Sequence, residues 1–349
     1  MVNASGRPRV SIVMPCRNEA AYIAPCLDSV LATDYPLDRL EVLIADGRSD
    51  DGTHEIVAGY AARHSCVRLL DNPARITPAA LNTAIRAATG DVIIRMDAHG
   101  VYPRDYVSRL VTALEASGAD NVGGVVVTLA ADDTPVARAI ALAFAHPLGV
   151  GNAYFRIGVA GPRWVDTVPF GCFRREVFER VGMFDEELVR NQDDEFNLRV
   201  IGHGGRILLL PDVVSRYYGR RSLGAVARMF YQYGYFKPLV ARKTARIMLR
   251  QLVPPLFVMS LVVTAALGIW VSAARGALAA IVGAYSALVL TGAALTVRKH
   301  GFRCAAALAA VVATMHVCYG VGYLRGVVEH WLPLGRRRTS RPAPMPLTR

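Results

Sequence analysis

Lysine is nearly missing from this chain. Of its 349 residues only Lys237, Lys243 and Lys299 are lysines, so no glycine- and lysine-rich phosphate loop is present. Acids stop abruptly as well: Glu329 is the only one after residue 212. Charged residues make up 19% of the chain, where an ordinary soluble protein has about 25%. With 53% hydrophobic residues, the composition excludes disorder as the dominant state, and the length excludes a single small domain. The cysteines Cys16, Cys26, Cys66, Cys172, Cys304 and Cys318 include no Cys-x-x-Cys pair. Neither a zinc site nor a disulfide framework is indicated, and reduced, buried thiols are expected. The first apolar run, VSIVMP, is short and followed at once by charge. It reads as a buried strand rather than a signal peptide, which keeps the polar part of the chain in the cytoplasm.

The net charge of +12 is unevenly spread. Residues 1–212 carry 21 basic and 27 acidic residues, 213–250 carry nine basic and no acidic ones, and 251–349 carry ten basic ones beside Glu329. The basic excess flanks the most hydrophobic stretches, which points to a membrane surface and not to nucleic acid. Three apolar runs, near 252–273, 277–297 and 304–324, approach the roughly 20 residues needed to cross a bilayer. Residues 222–250 are basic and aromatic. They read as helix, either lying at a membrane interface or forming a plain surface pair. Three full spans would put Arg336, Arg337, Arg338 and Arg341 on the outer side, against the positive-inside rule. Two to three spans are therefore expected, with the first run (Pro254, Pro255) or the third (His316–Gly322) re-entrant or interfacial. The Pro- and Arg-rich tail after Leu332 reads as disordered.

Residues 9–129 alternate β-branched runs (RVSIVMP, EVLIAD, VRLLD, DVIIRMD, NVGGVVVTL) with helical stretches near 19–33, 54–64, 77–89 and 104–117. That alternation predicts a mostly parallel sheet covered by helices on both faces. Residues 130–220 are less regular. VPFGCFRREVFERVG predicts a strand, a turn and a short helix; NQDDEFNLRVIGHG predicts a helix with acids at its start; GRILLLPD and VVSRYY predict two strands. Asp46, Asp71 and Asp97 close strands, where open α/β sheets bind their ligands.

Four clusters carry possible chemistry. Pro15, Arg17, Asn18 and Glu19 close the first strand. Asp46–Thr53, DGRSDDGT, closes the second; a plain acidic helix cap competes with a role in holding a nucleobase or ribose. Arg95, Asp97 and His99 follow the fourth strand. On an extended segment the two-residue spacing puts Asp97 and His99 on one side, able to hold a divalent ion against a diphosphate. The competing reading is a turn with an incidental histidine. Asp193, Asp194 and Glu195 open a helix, where the helix dipole explains acids in part and a general base is the alternative.

Taken in order, PCRNE, ADGRSDDGT, NTAIRAATGD, RMDAH, FGCFRREVFERVGMFDEEL and QDDEFNLR resemble a family 2 glycosyltransferase with a GT-A fold, closest to the branch that builds succinoglycan-type exopolysaccharides. The likeness covers about residues 9–235. It implies an α/β GT-A domain of the nucleotide-diphospho-sugar transferase, Rossmann-like type over 1–220. A basic amphipathic segment would follow at 221–250, then a transmembrane region at 251–325 and a basic tail at 326–349. Carried over position by position, Pro15, Arg17, Glu19, Asp46, Asp51 and Asp97 match nucleotide-sugar-binding positions. Asp97 and His99 match the Asp-x-Asp metal motif, with Mg2+ or Mn2+ implied. Asp193 matches the catalytic base, with Gln192 where Glu is usual. Gly171, Arg174 and Arg175 match the segment that shapes the acceptor site. The Gln-x-x-Arg-Trp motif of processive synthases is absent, which implies one sugar per encounter. The three apolar runs, the basic flanks and the aromatic 230–236 segment point to an integral cell-membrane protein with a cytoplasmic catalytic domain and to a lipid-linked saccharide acceptor, with other glycan-assembly proteins as further partners. The rival readings are a nucleotidyltransferase and a non-catalytic scaffold of an envelope complex.

Overall fold

The computed structural model describes residues 6–331. The chain forms two compact units: one from residues up to 127 together with 154–217, the other from 128–153 together with 218 onward. The first unit begins β1 (Val10–Cys16), α1 (Ile23–Leu31), β2 (Leu40–Asp46), α2 (Thr53–Arg63), β3 (Val67–Asp71), α3 (Thr77–Ala87), β4 (Val92–Arg95), β5 (Gly100–Val101), α4 (Tyr106–Ser117) and β6 (Asn121–Leu129). The excursion α5 (Pro135–Phe144) and α6 (Pro147–Val150) belongs to the second unit. The first then resumes with α7 (Tyr154–Ile157), β7 (Arg163–Val165), β8 (Cys172–Arg174), α8 (Arg175–Val181), α9 (Gln192–Gly202) and β9 (Ile207–Tyr218).

The strands form one sheet in the order β3-β2-β1-β4-β8-β6-β9-β5, with β7 also on β9. β3, β2, β1 and β4 run parallel, as the alternating pattern predicts. β8 runs antiparallel to β4, and β5 and β7 run antiparallel to β9. β1, β2 and β4 are apolar on both faces because helices cover both faces. Ile12 and Ile94 pack into one core cluster, and Val13 and Ile93 into the other. The parallel register places Cys16, Asp46 and Asp71 side by side at the carboxyl ends of β1, β2 and β3. The two strands expected in GRILLLPD and VVSRYY are one, β9. Its Pro211 lies between the part paired with β7 (Ile207–Leu209) and the part paired with β5 (Arg216–Tyr217), so its missing N–H breaks neither ladder.

The second unit continues with α10 (Leu223–Thr244), α11 (Val253–Leu267), α12 (Ser272–Ala294), α13 (Val297–His300) and α14 (Phe302–Trp331). Leu249–Leu267, Ser272–Ala294 and Phe302–Trp331 are long and apolar enough to cross a membrane, matching the three runs in the sequence. The expectation of a disordered tail after Leu332 lies outside the described residues.

Candidate active site

The loops after β1 and β2 are laced together. Pro15 pairs with Ala45 in the ladder, and Arg17 lies over Gly47, with its Nη1 donating to the Arg75 carbonyl at 3.4 Å. The amide of Asn18 donates to Ser49 Oγ at 2.9 Å, and that of Glu19 to Thr53 Oγ1 at 2.8 Å. Asp46, buried, accepts from Ser49 Oγ at 2.5 Å and lies 3.3 Å from His54 Nδ1. Asp51 accepts from the Thr53 hydroxyl and from the Ala20 amide at 3.1 Å. Burial alone would push its carboxyl up, but these hydrogen bonds hold it below the ordinary value. Both carboxylates therefore already shape the loop walls.

β4 ends at Arg95, and the next residues are a turn rather than an extended strand. The Gly100 amide donates to the Asp97 carbonyl at 3.1 Å. Tyr102 enforces this: its hydroxyl accepts from the Asp97 amide at 2.8 Å, and its ring fills the space a Cβ at Gly100 would need. The two side chains meet different partners. Asp97 Oδ1 accepts from Arg95 Nη2 at 3.0 Å, while His99 Nδ1 lies 3.1 Å from Glu19 Oε1. The expectation that an extended backbone aligns them does not hold.

Arg95, which the sequence motifs give no role, acquires one from its surroundings. Its side chain is 6% exposed and lies between two carboxylates, Asp97 on one side and Asp193, 98 residues away in sequence, on the other. Burial opposes its charge, but the pull of Asp193 and Asp97 outweighs burial and holds the guanidinium firmly protonated. The signal in the sequence was a lone arginine closing a buried apolar strand, a position that requires a charged partner.

α9 delivers Asp193. Its N-cap, Asn191, takes a left-handed φ of 61°, and the helix is anchored by Phe196 among Phe173, Phe178 and Phe184, with ring centroids 4.6–5.5 Å apart. Asn197 adds hydrogen bonds to Thr167 Oγ1 and the Val168 carbonyl, both 2.9 Å. Glu195 is spent on Arg199, at 2.5 Å, which also donates to the Val181 and Met183 carbonyls. Of the three acids opening α9, Asp193 is the one that meets Arg95 at the end of β4. Burial pushes its carboxyl up to about 6, against the pull of Arg95 and with the help of Asp97 and Asp194.

The acceptor-site residues divide. Gly171 lies beside the end of β4: its carbonyl accepts from the Arg95 amide at 2.9 Å, and a Cβ would collide with Asn121 and Phe173. Arg174 and Arg175 do not. Antiparallel pairing puts Arg174 opposite Val92, at the start of β4, about 10 Å along the strand from Arg95. There Arg174 donates to the Leu114 carbonyl and Arg175 to that of Gly90. Arg175→Ala is expected to lower thermal stability and leave the acceptor KM unchanged; a KM rise would return this segment to the acceptor site.

Among the described residues no three carboxylate, imidazole or thiolate groups converge on one point. Asp97 Oδ2 and His99 Nε2 make no hydrogen bond among the described residues, which leaves one atom of each side chain open to a ligand. A carboxylate oxygen and an imidazole nitrogen are chemically suited to a divalent ion, though two donors alone do not make a closed site.

The sheet order and helical cover are those of a GT-A nucleotide-sugar transferase. The mannosyltransferase PcManGT from Pyrobaculum calidifontis, solved in complex with GDP-Man and Mn2+, shares the fold with a TM-score of 0.60 at 23% identity, over 95% of this chain and 90% of that one. Residues 11–182 match the model described as glycosyl transferase family 2. The succinoglycan biosynthesis protein ExoA of Rhizobium meliloti (strain 1021) is 34% identical over 331 residues, covering 91% of this chain and 94% of that protein. A dolichyl N-acetyl-α-D-glucosaminyl phosphate 3-β-D-2,3-diacetamido-2,3-dideoxy-β-D-glucuronosyltransferase of Methanococcus voltae is 28% identical over 243 residues, 67% of this chain and 74% of that one. The chain belongs to glycosyltransferase family 2 and is an enzyme of sugar transfer. The nucleotidyltransferase and scaffold readings are set aside.

Proposed function

We propose that this is a membrane-bound, inverting, non-processive glycosyltransferase. It moves one sugar from a nucleotide-sugar donor to a lipid-linked saccharide in the synthesis of exopolysaccharide or a related envelope glycan. The observation that carries the mechanism is the Asp97–Arg95–Asp193 bridge at the strand ends. Asp193 takes the proton from an acceptor hydroxyl. The freed oxygen attacks the anomeric carbon as the bond to the nucleoside diphosphate breaks on the opposite face, and the configuration inverts. Arg95 keeps Asp193 ionised in a partly dry site and fixes its direction. Asp97 and His99 would hold a divalent cation, which when bound neutralises charge on the leaving diphosphate. Glu19 orients His99 through its Nδ1, while Pro15, Arg17, Asp46 and Asp51 form the nucleotide wall. The names of ExoA and of the GDP-Man and Mn2+ complex support the glycan and the donor class. The three apolar helices and basic flanks support an integral protein with 1–220 in the cytoplasm and 221–250 at the membrane surface.

The test is the full chain in detergent with a panel of nucleotide sugars and lipid-linked acceptors. Transfer from at least one donor is expected, lost in excess EDTA and restored by Mn2+ or Mg2+. Full turnover in EDTA contradicts the metal assignment, and equal rates on a short soluble acceptor contradict the lipid-linked one.

A further inference from the structure

We propose that the second unit crosses the bilayer twice, through α11 and α12, and that α14 does not cross. In this arrangement α14 lies with α10 and α5 as a platform in the cytoplasmic leaflet. The proposal rests on the cytoplasmic placement of the catalytic unit given above.

The argument starts from α10. With 22 residues it is long enough to cross, but it carries Arg228, Lys237, Arg242 and Lys243, and it is not among the helices apolar enough to do so. α14 runs parallel to it at backbone contact. A Cβ on Gly234 would strike the Tyr319 carbonyl, one on Gly322 that of Tyr231, and one on Gly326 that of Tyr235. Further along, Trp331 Nε1 donates to the Pro238 carbonyl at 2.9 Å, and Arg242 to that of His330 at 2.6 Å. Small residues at such a seam let two backbones approach closely. Two helices in contact over this length share one depth, so the second half of α14 stays wherever α10 stays.

Glu329 is placed to hold this seam. The single acid of the C-terminal part accepts from Tyr235 Oη at 2.5 Å and from Arg325 Nε at 2.9 Å, and Arg325 also donates to Tyr231 Oη at 2.8 Å. A carboxylate, a guanidinium and two phenols suit an interface rather than the hydrocarbon centre. The first half of α14 is held elsewhere in the same unit. Leu308 and Met315 pack with Ile140 and Phe144 of α5, and His316 Nε2 lies 2.7 Å from the Leu148 carbonyl.

The α11–α12 hairpin behaves differently. It meets α14 at its base, where Gly320 packs on Pro254 and Val258 and Tyr285 meets His316 Nδ1 at 3.0 Å. From Met259 to Ser286 only Gly268 is buried. Accordingly 11% of the apolar stretch leading through each of α11 and α12 is buried, against 39% of that in α14. The bare apolar faces fit lipid tails, the spans Leu249–Leu267 and Ser272–Ala294 supply the length to cross, and Trp270 and Arg275 at the tip fit the far headgroups. Two crossings also return Arg336, Arg337, Arg338 and Arg341 to the cytoplasmic side.

The experiment uses full-length protein in intact spheroplasts and a membrane-impermeant maleimide, with wild type as the blank. Ser272→Cys, at the tip, is expected to label from outside. A cysteine added after Arg349 is expected to label only after permeabilisation. Labelling of the added cysteine from outside overturns the proposal, as does a Ser272→Cys protein that stays unlabelled until permeabilised. Carbonate extraction is run in parallel. Release from the pellet overturns the integral reading itself, whereas a retained protein with an external C-terminus overturns only the two-span arrangement.

Discussion

Asp193→Asn is expected to lower kcat by about 10²–10⁴-fold while leaving donor affinity nearly unchanged. The amide keeps the size of the carboxylate and can still meet Arg95, but it cannot accept the acceptor's proton. The pH profile provides a second check. Burial raises the Asp193 carboxyl to about 6, and the base works only when ionised. Activity should therefore fall as pH drops through that value, on an acid limb above the ordinary carboxylate range. The limb should vanish in the Asn variant, whose residual rate has no carboxylate to titrate. If Asp194→Asn cripples the enzyme and Asp193→Asn is mild, the base is the neighbouring acid.

Arg95→Met is expected to act on stability and chemistry together. Removing one partner of a buried ion pair costs about 3–5 kcal/mol, because the other charge is left without compensation. Here two carboxylates would be left facing each other across the gap. A lowered thermal midpoint in detergent checks the first effect. The second is a shift that a merely structural role would not produce. Without the guanidinium, Asp193 holds its proton to higher pH, so the acid limb moves upward. Arg95→Lys keeps the charge but not the planar fork that reaches both carboxylates at once, and it should fall between wild type and Arg95→Met in both measurements. An unmoved acid limb in Arg95→Met would show that the bridge does not tune the base.

The strands and their carboxylate ends were legible because each is local: a β-branched run followed by Asp or Arg places β1, β2 and β4 and fixes which end carries Asp46 and Asp97. Arg95 was visible as a letter but not as a bridge, since its partner Asp193 arrives on a helix positioned by four phenylalanines from separate segments. The Asp97–His99 spacing reads as extended strand, whereas Tyr102 turns the backbone there, a contact that no period reveals. Arg174 and Arg175 misled for another reason: motif order says nothing of strand direction, and the antiparallel register of β8 carries them away from the site. In the second unit composition marked the apolar helices. What separates α14 from α11 and α12 is the glycine seam against α10, which exists only once both helices are packed.

The most direct test of the Asp193-assisted displacement is the anomeric configuration of the product, read by proton NMR of the glycan released after transfer from an α-linked nucleotide sugar. A single in-line attack predicts a β-linked product from the wild-type enzyme. An α-linked product would contradict one displacement and, with it, the role assigned to Asp193.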